Sequence, residues 1–244
     1  NPFDTSDRFN FAQFNLLLTP SERRGLYNQT HFEITDNTTW YFKGLYNERE
    51  STNQAAPEPI FLGPEAGTGN AYADNIFISR TNPYNPFGID FISTGPDANL
   101  VFFGRRPIEG GARVFNQEVD TWYIATGFEG NFDLGARKLY WDLNYANSQN
   151  KAEQTNYGSY NIRRIAQALG PVDACNADPN CVPLNYFGGQ GAGGGTITPE
   201  MLAYIQPIIR DSSEQELELY SANLTGDLFE LPAGALAFAA GYEY

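Results

Sequence analysis

The 244 residues suit one large all-β domain or two ordinary ones, and 15 Lys plus Arg against 29 Asp plus Glu leave a formal charge of −14. At a pI near 4.4, the clustered cations that phosphate binding needs are missing, which excludes nucleic acid as a partner. Aromatic residues (3 Trp, 15 Tyr, 18 Phe) together with 24 Gly and 15 Pro favour strands and turns, and exclude a coiled coil or helical bundle.

No apolar stretch approaches the ~20 residues of a spanning helix. The mean hydropathy of −0.43 is compatible with a membrane β-barrel, whose strands alternate lipid-facing and lumen-facing residues and so average polar. Asn1 opens no basic and apolar leader. The chain begins in mid-phrase at Asn1-Pro2-Phe3 and stops on Tyr244 inside an alternating run, so it reads as a fragment.

Period-2 alternation marks six strands in chain order. The first, 23–35, sets Leu26, Thr30, Phe32 and Ile34 against Gln29, His31 and Glu33; Asp36-Asn37 turns it into the second, 38–51, with Trp40, Phe42 and Tyr46 on one face. The third, 115–130, groups Trp122, Ile124 and Phe128. The fourth, 137–150, sets Leu139, Trp141, Leu143 and Tyr145 against Tyr140, Asp142, Asn144 and Ala146. The fifth, 213–230, alternates Leu217, Leu219, Ser221 and Asn223 with Glu218, Tyr220, Ala222 and Leu224. The sixth, 235–244, backs an aromatic row with Ala and Gly, which suits a wall one layer thick.

Short turns join strands one to two, three to four and five to six, whereas roughly sixty residues separate two from three and four from five. Short turns at one end and long excursions at the other are the plan of an outer-membrane barrel. A soluble sandwich would carry strands every 8–12 residues. The fold class is therefore all-β: part of a large antiparallel transmembrane barrel, with barrel strands in 22–52, 115–151 and 213–244. Segments 53–114 and 152–212 form extracellular loops. Trp40, Trp122 and Trp141, placed near the short-turn ends, read as an aromatic girdle at the inner interface, or else as core tryptophans.

Inside the loops, 99–106 reads as a further strand. Ser159 can cap a helix over 160–169 that Gly170-Pro171 ends, and Thr198-Pro199-Glu200 can start a second. Between them, Cys175 and Cys181 flank a Pro-Asn turn at a spacing that suits a local disulfide, hence an oxidising compartment. A metal site would need more ligands nearby, and the lone histidine, His31, is distant in sequence.

Catalytic chemistry is not indicated: His31 alone makes no triad, and no cofactor or metal is expected. Gly189-Gln190-Gly191-Ala192-Gly193-Gly194 matches G-x-G-x-x-G but follows a loop rather than a strand, so it reads as a flexible loop. Loop aromatics beside Asn and Gly stand out instead: Tyr84 and Phe87 in Asn82-Pro83-Tyr84-Asn85-Pro86-Phe87, and Tyr186 and Phe187 in Asn185-Tyr186-Phe187-Gly188. They either stack on a sugar or aromatic ligand or form small cores of their own.

The chain resembles TonB-dependent outer-membrane receptors. The resemblance is carried by Leu17-Leu18-Thr19-Pro20-Ser21-Glu22-Arg23-Arg24-Gly25-Leu26-Tyr27, Thr35-Asp36-Asn37, Asn82-Pro83-Tyr84-Asn85-Pro86-Phe87, Ser221-Ala222-Asn223-Leu224-Thr225-Gly226-Asp227-Leu228-Phe229, and Leu231-Pro232-Ala233-Gly234 running to Gly241-Tyr242-Glu243-Tyr244. It implies a 22-stranded barrel closed by a plug, extracellular capture of a nutrient, and import energised by TonB in the outer membrane of a Gram-negative bacterium. Plug and TonB box are absent from this sequence, and six strands fall short of the minimum of eight for a closed barrel. The expected partners are outer-membrane lipid, the remainder of the barrel and plug, TonB through the plug, and a small ligand.

Ligand contacts are expected from Tyr84, Phe87, Arg105, Arg106, Tyr186 and Phe187. An acidic surface repels anionic ferric siderophores unless Arg80, Arg105, Arg106 and Arg113 cluster at the mouth, so a neutral glycan is favoured. A passive porin or adhesin barrel, and a secreted carbohydrate-binding domain, are the alternatives.

Overall fold

The computed structural model describes residues 9–189 and 195–244, so most of the glycine-rich 189–194 match lies outside the described residues. In chain order the first elements are β1 (Ser21–Thr35), β2 (Thr38–Ala55), β3 (Ile60–Leu62), α1 (Ala71–Asp74), β4 (Phe77–Ile78), β5 (Phe91–Ile92) and β6 (Phe103–Arg105). They are followed by β7 (Arg113–Leu134), β8 (Arg137–Tyr157), α2 (Ile162–Leu169), α3 (Val172–Asn176), α4 (Pro199–Ile205), β9 (Ile209–Leu231) and β10 (Gly234–Glu243). The long strands form one antiparallel sheet in the order β1-β2-β7-β8-β9-β10, and β3-β6 and β4-β5 are small two-stranded sheets. No described helix is long and apolar enough to cross a membrane.

The chain divides into two compact units. One consists of Ser21–Ser51, Gln117–Gln154 and Asp211–Tyr244 and is made of sheet; the other consists of Asn1–Pro20, Thr52–Asn116 and Thr155–Arg210 and holds the helices and small sheets.

In the sheet unit, side-chain contacts fix two faces. On the first, Phe32 pairs with Trp40, Trp40 Nε1 donates to Thr126 Oγ1 at 2.8 Å, and Trp122 Nε1 donates to Gln149 Oε1 at 2.9 Å. The Tyr145 and Tyr220 rings meet at a tilt, with centroids 4.9 Å apart, and Tyr242 pairs with Ala222. This face carries Leu26, Phe32, Ile124, Phe128, Leu143 and Tyr242, all exposed. The opposite face is polar. Tyr41 Oη donates to Asn144 Oδ1 at 2.6 Å, Asn144 Nδ2 donates to Asp142 and to Ser221, and Asn223 Nδ2 donates to Asp142 Oδ2 at 2.8 Å.

Two glycines make this arrangement possible. A Cβ at Gly127 would lie 2.3 Å from the Leu143 carbonyl and 2.8 Å from the Tyr41 ring, so only glycine lets Tyr41 cross β7 to reach Asn144 on β8. Gly135, at φ 67°, takes the left-handed conformation that closes the β7–β8 turn.

The first five of the six long strands exceed their expected lengths. The third was expected to end at 130, but β7 continues to Leu134. Trp122 therefore lies far from the short turn, level with Gln149. The expectation that all three tryptophans sit near the short-turn ends holds for Trp40 and Trp141 and is corrected for Trp122.

In the second unit, Ile60 and Leu62 of β3, Ile165 and Leu169 of α2, Leu184, Tyr186, and Met201 and Ile205 of α4 are nearly or fully buried in one apolar cluster. Each large side chain so buried contributes about 1.5–3 kcal/mol. The helix expected over 160–169 begins at Ile162. Its cap is Asn161, whose Oδ1 accepts from Arg164 N at 3.1 Å, and not Ser159. Asparagine at the cap position, accepting from the N–H of the third helical residue, caps as well as serine does. Thr198 caps α4 as expected. The strand expected over 99–106 contracts to β6, paired with β3.

Candidate ligand-binding surface

Asn82 and Asn85 build the first aromatic loop. Asn82 is buried, its Nδ2 donating to the Ala168 carbonyl at 2.9 Å, while its Oδ1 accepts from Tyr84 N. Asn85 Oδ1 accepts in turn from Phe87 N. The side-chain amides thus replace backbone partners and hold the turns between the two prolines. Phe87 emerges 62 % exposed, with its ring edge-on to Phe91 at 5.5 Å and to Phe187 at 5.9 Å. Phe187 also meets Phe103 at 5.3 Å. Phe87 and Phe187 are therefore brought together, and Phe87 together with the half-exposed Tyr84 presents an open ring.

Two expected contact residues are corrected. Tyr186 is 1 % exposed. Its ring packs edge-on against Phe103 at 4.6 Å, its hydroxyl donates to the Ile60 carbonyl at 2.8 Å, and burial pushes its pKa far up. It closes the core and offers no face to a ligand. Arg105 is equally sequestered: it pairs with Glu109 and donates to the Asn185 and Tyr186 carbonyls. Arg106 donates to the Pro57 carbonyl and lies 5.5 Å from the Phe9 ring centroid, and burial lowers its pKa. Arg105 is structural here rather than part of a cationic mouth, while Arg106 stays half-buried.

Sequence reasoning missed two features of this unit. One is an exposed pair, Phe61 and Phe102, with ring centroids 5.7 Å apart. The other is a cleft of about 730 Å³ among α2, α4 and the loop that the Cys175–Cys181 disulfide closes. A connected chain of hydrogen bonds forms its wall. Arg164 Nη1 donates to the Tyr204 carbonyl at 2.9 Å and its guanidinium covers the Tyr204 ring at 5.5 Å. The Tyr204 hydroxyl donates to Gln167 Oε1 at 2.9 Å, and Gln167 Nε2 donates to Asp178 Oδ2 at 3.1 Å. The Asn180 backbone N–H and the Gln167 and Asn180 amides hold the Asp178 carboxyl below the usual carboxylate range. The signal was in the sequence: two consecutive arginines within a helix, and an Asp and an Asn between the two cysteines.

Among the described residues, no group of three or more His, Cys, Asp or Glu is placed to hold a metal ion. Comparison of the chain with protein-family models, curated proteins and solved structures finds no match.

Proposed function

We propose that the chain is a segment of a TonB-dependent outer-membrane receptor: barrel wall from the long strands, and extracellular loops from the helix-bearing unit that capture a neutral ligand, a glycan in preference to a ferric siderophore. The observation that carries this reading is the shape of the apolar band on the sheet. On that face, Tyr46, Trp122, Tyr145 and Tyr220 mark one margin, and Glu48, Asp120, Asn147 and Glu218 are the next residues beyond them on the same strands. The other margin is the row of short turns.

From the margin to the short turn, β8 spans Arg137 to Tyr145 and β7 spans Trp122 to Leu134, on the order of 20–30 Å at ~3.3 Å per residue and a ~40° tilt, which brackets the ~25 Å apolar band of membrane barrels. The row of turns also runs oblique to the strand pairing. Along the row Phe32, Trp40, Thr126, Tyr145, Tyr220, the turns fall progressively farther away: Asp36 is near Trp40, Gly135 farther past Thr126, and Pro232 farther still past Tyr220. Strands tilted in a barrel carry such a stagger. A hydrogen-bonded polar face opposite the apolar one suits a lumen, and six strands require others along β1 and β10 to close.

Two experiments test the reading. The full-length protein should sediment with outer membranes and need detergent to stay dispersed, and recovery as a soluble monomer would remove the barrel. Uptake of its ligand should cease in a strain lacking TonB; undiminished uptake would make it a passive porin instead.

A further inference from the structure

The polar lining of the α2–α4 cleft includes Arg163, Asp178, Asn180 and Glu200. Arg163, exposed on α2 beside the tethered Arg164, makes no hydrogen bond or ion pair among the described residues. The cleft volume of about 730 Å³ lies inside the ~300–1,000 Å³ range of ligand pockets.

Three ligand classes fit poorly. An anion gains little net attraction, because two guanidiniums (Arg163, Arg164) face two carboxylates (Asp178, Glu200) in the lining. A greasy ligand finds no large apolar surface, since Arg164 covers the Tyr204 ring and the other non-polar lining residue is Ala203. A divalent cation finds only those two carboxylates, of which Asp178 already accepts from Gln167 and Asn180. What remains is a neutral molecule dense in groups that both donate and accept. Sugar hydroxyls are such groups, and a lining that holds both guanidinium donors and carboxylate and amide acceptors can meet them in pairs. The internal hydrogen-bond chain fixes Asp178 and Gln167 before any ligand arrives, so little side-chain entropy is lost on binding.

We infer that this cleft is an oligosaccharide subsite, holding a short run of neutral sugar units between Arg163, Asp178 and Asn180. The inference rests on the proposed reading of this unit as the ligand-capturing loops, and it supplies the site that the exposed aromatics alone do not.

The test uses the full-length protein in detergent micelles, titrated calorimetrically with maltohexaose, cellohexaose, xylohexaose and ferric citrate. At least one hexasaccharide should bind saturably. Arg163→Ala and Asn180→Ala should each weaken it about tenfold, the loss of one or two hydrogen bonds to charged or amide groups. Asp178→Asn, which keeps the shape, should weaken it less than Asp178→Ala. Near-ultraviolet circular dichroism identical to wild type establishes that each variant is folded. Hexasaccharide binding unchanged in Arg163→Ala and Asn180→Ala would overturn the subsite while leaving the receptor reading intact. Absence of hexasaccharide binding in the wild type would overturn the neutral-glycan reading and the subsite with it. Ferric citrate binding that these substitutions abolish would make the cleft an anion site and refute the inference.

Discussion

Arg105 and Glu109 form the ion pair with most at stake in the loop unit, with side chains only 6 % and 8 % exposed. Removing one partner leaves the other charge buried without compensation, at a cost of about 3–5 kcal/mol. Arg105→Ala is therefore expected to make the loop unit sensitive to limited proteolysis while the strands stay protected. An unchanged digestion pattern would show the pair to be dispensable. One buried and one partly buried tyrosine, Tyr186 and Tyr160, give a pH signature. Burial raises the Tyr160 pKa, with the Glu109 and Glu58 charges adding to the effect, and burial alone raises that of Tyr186, both above the ordinary 10.0. A raised pKa in the folded state means that stability is complete below pH ~10 and falls as pH rises beyond it. Ultraviolet titration should show two phenols ionising only as the loop unit unfolds. Ionisation of every tyrosine near pH 10 with the fold intact would contradict this.

At the scale of elements, local signals were read correctly and distant ones were not. The caps and stops of α2 and α4 depend on residues within a turn of each end, so Thr198, Gly170 and Pro171 were legible, and the cap was misplaced only from Asn161 to Ser159. The strand faces were legible because period 2 belongs to the strand itself. The height of Trp122 was not, because it is measured from a turn that lies beyond 131–134. The roles of Tyr186 and Arg105 depend on partners such as Ile60, far away in the chain. Their flanking Asn and Gly residues resemble those of an exposed loop. Gly127→Ala tests an element directly: a Cβ there would be 2.3 Å from the Leu143 carbonyl. The substitution is expected to cost about 1–3 kcal/mol in urea unfolding of the detergent-held protein, and a neutral result would show that β7 can yield. Asn161→Ala should cost about 1 kcal/mol, read as faster proteolysis within α2.

At the scale of the molecule, one sheet with an apolar face on one side and a hydrogen-bonded polar face on the other is what the proposed barrel wall requires, with lipid on one side and water on the other. In water the exposed Leu26, Phe32, Phe128 and Leu143 would be an aggregation hazard of the kind that soluble proteins avoid. In a bilayer the same side chains are in their proper medium, and the charges beyond Tyr46 and Tyr220 lie at the headgroups. Adjacent residues on β7 distinguish these cases most directly. Nitroxide labels placed by Ile124→Cys and Tyr123→Cys in the full-length protein, reconstituted in bilayers, report which medium each side chain meets. The expected result is that the Ile124 label is relaxed by oxygen and shielded from a water-soluble nickel chelate, and that the Tyr123 label shows the reverse. Equal access of the nickel chelate to both labels would contradict the claim that this face meets lipid.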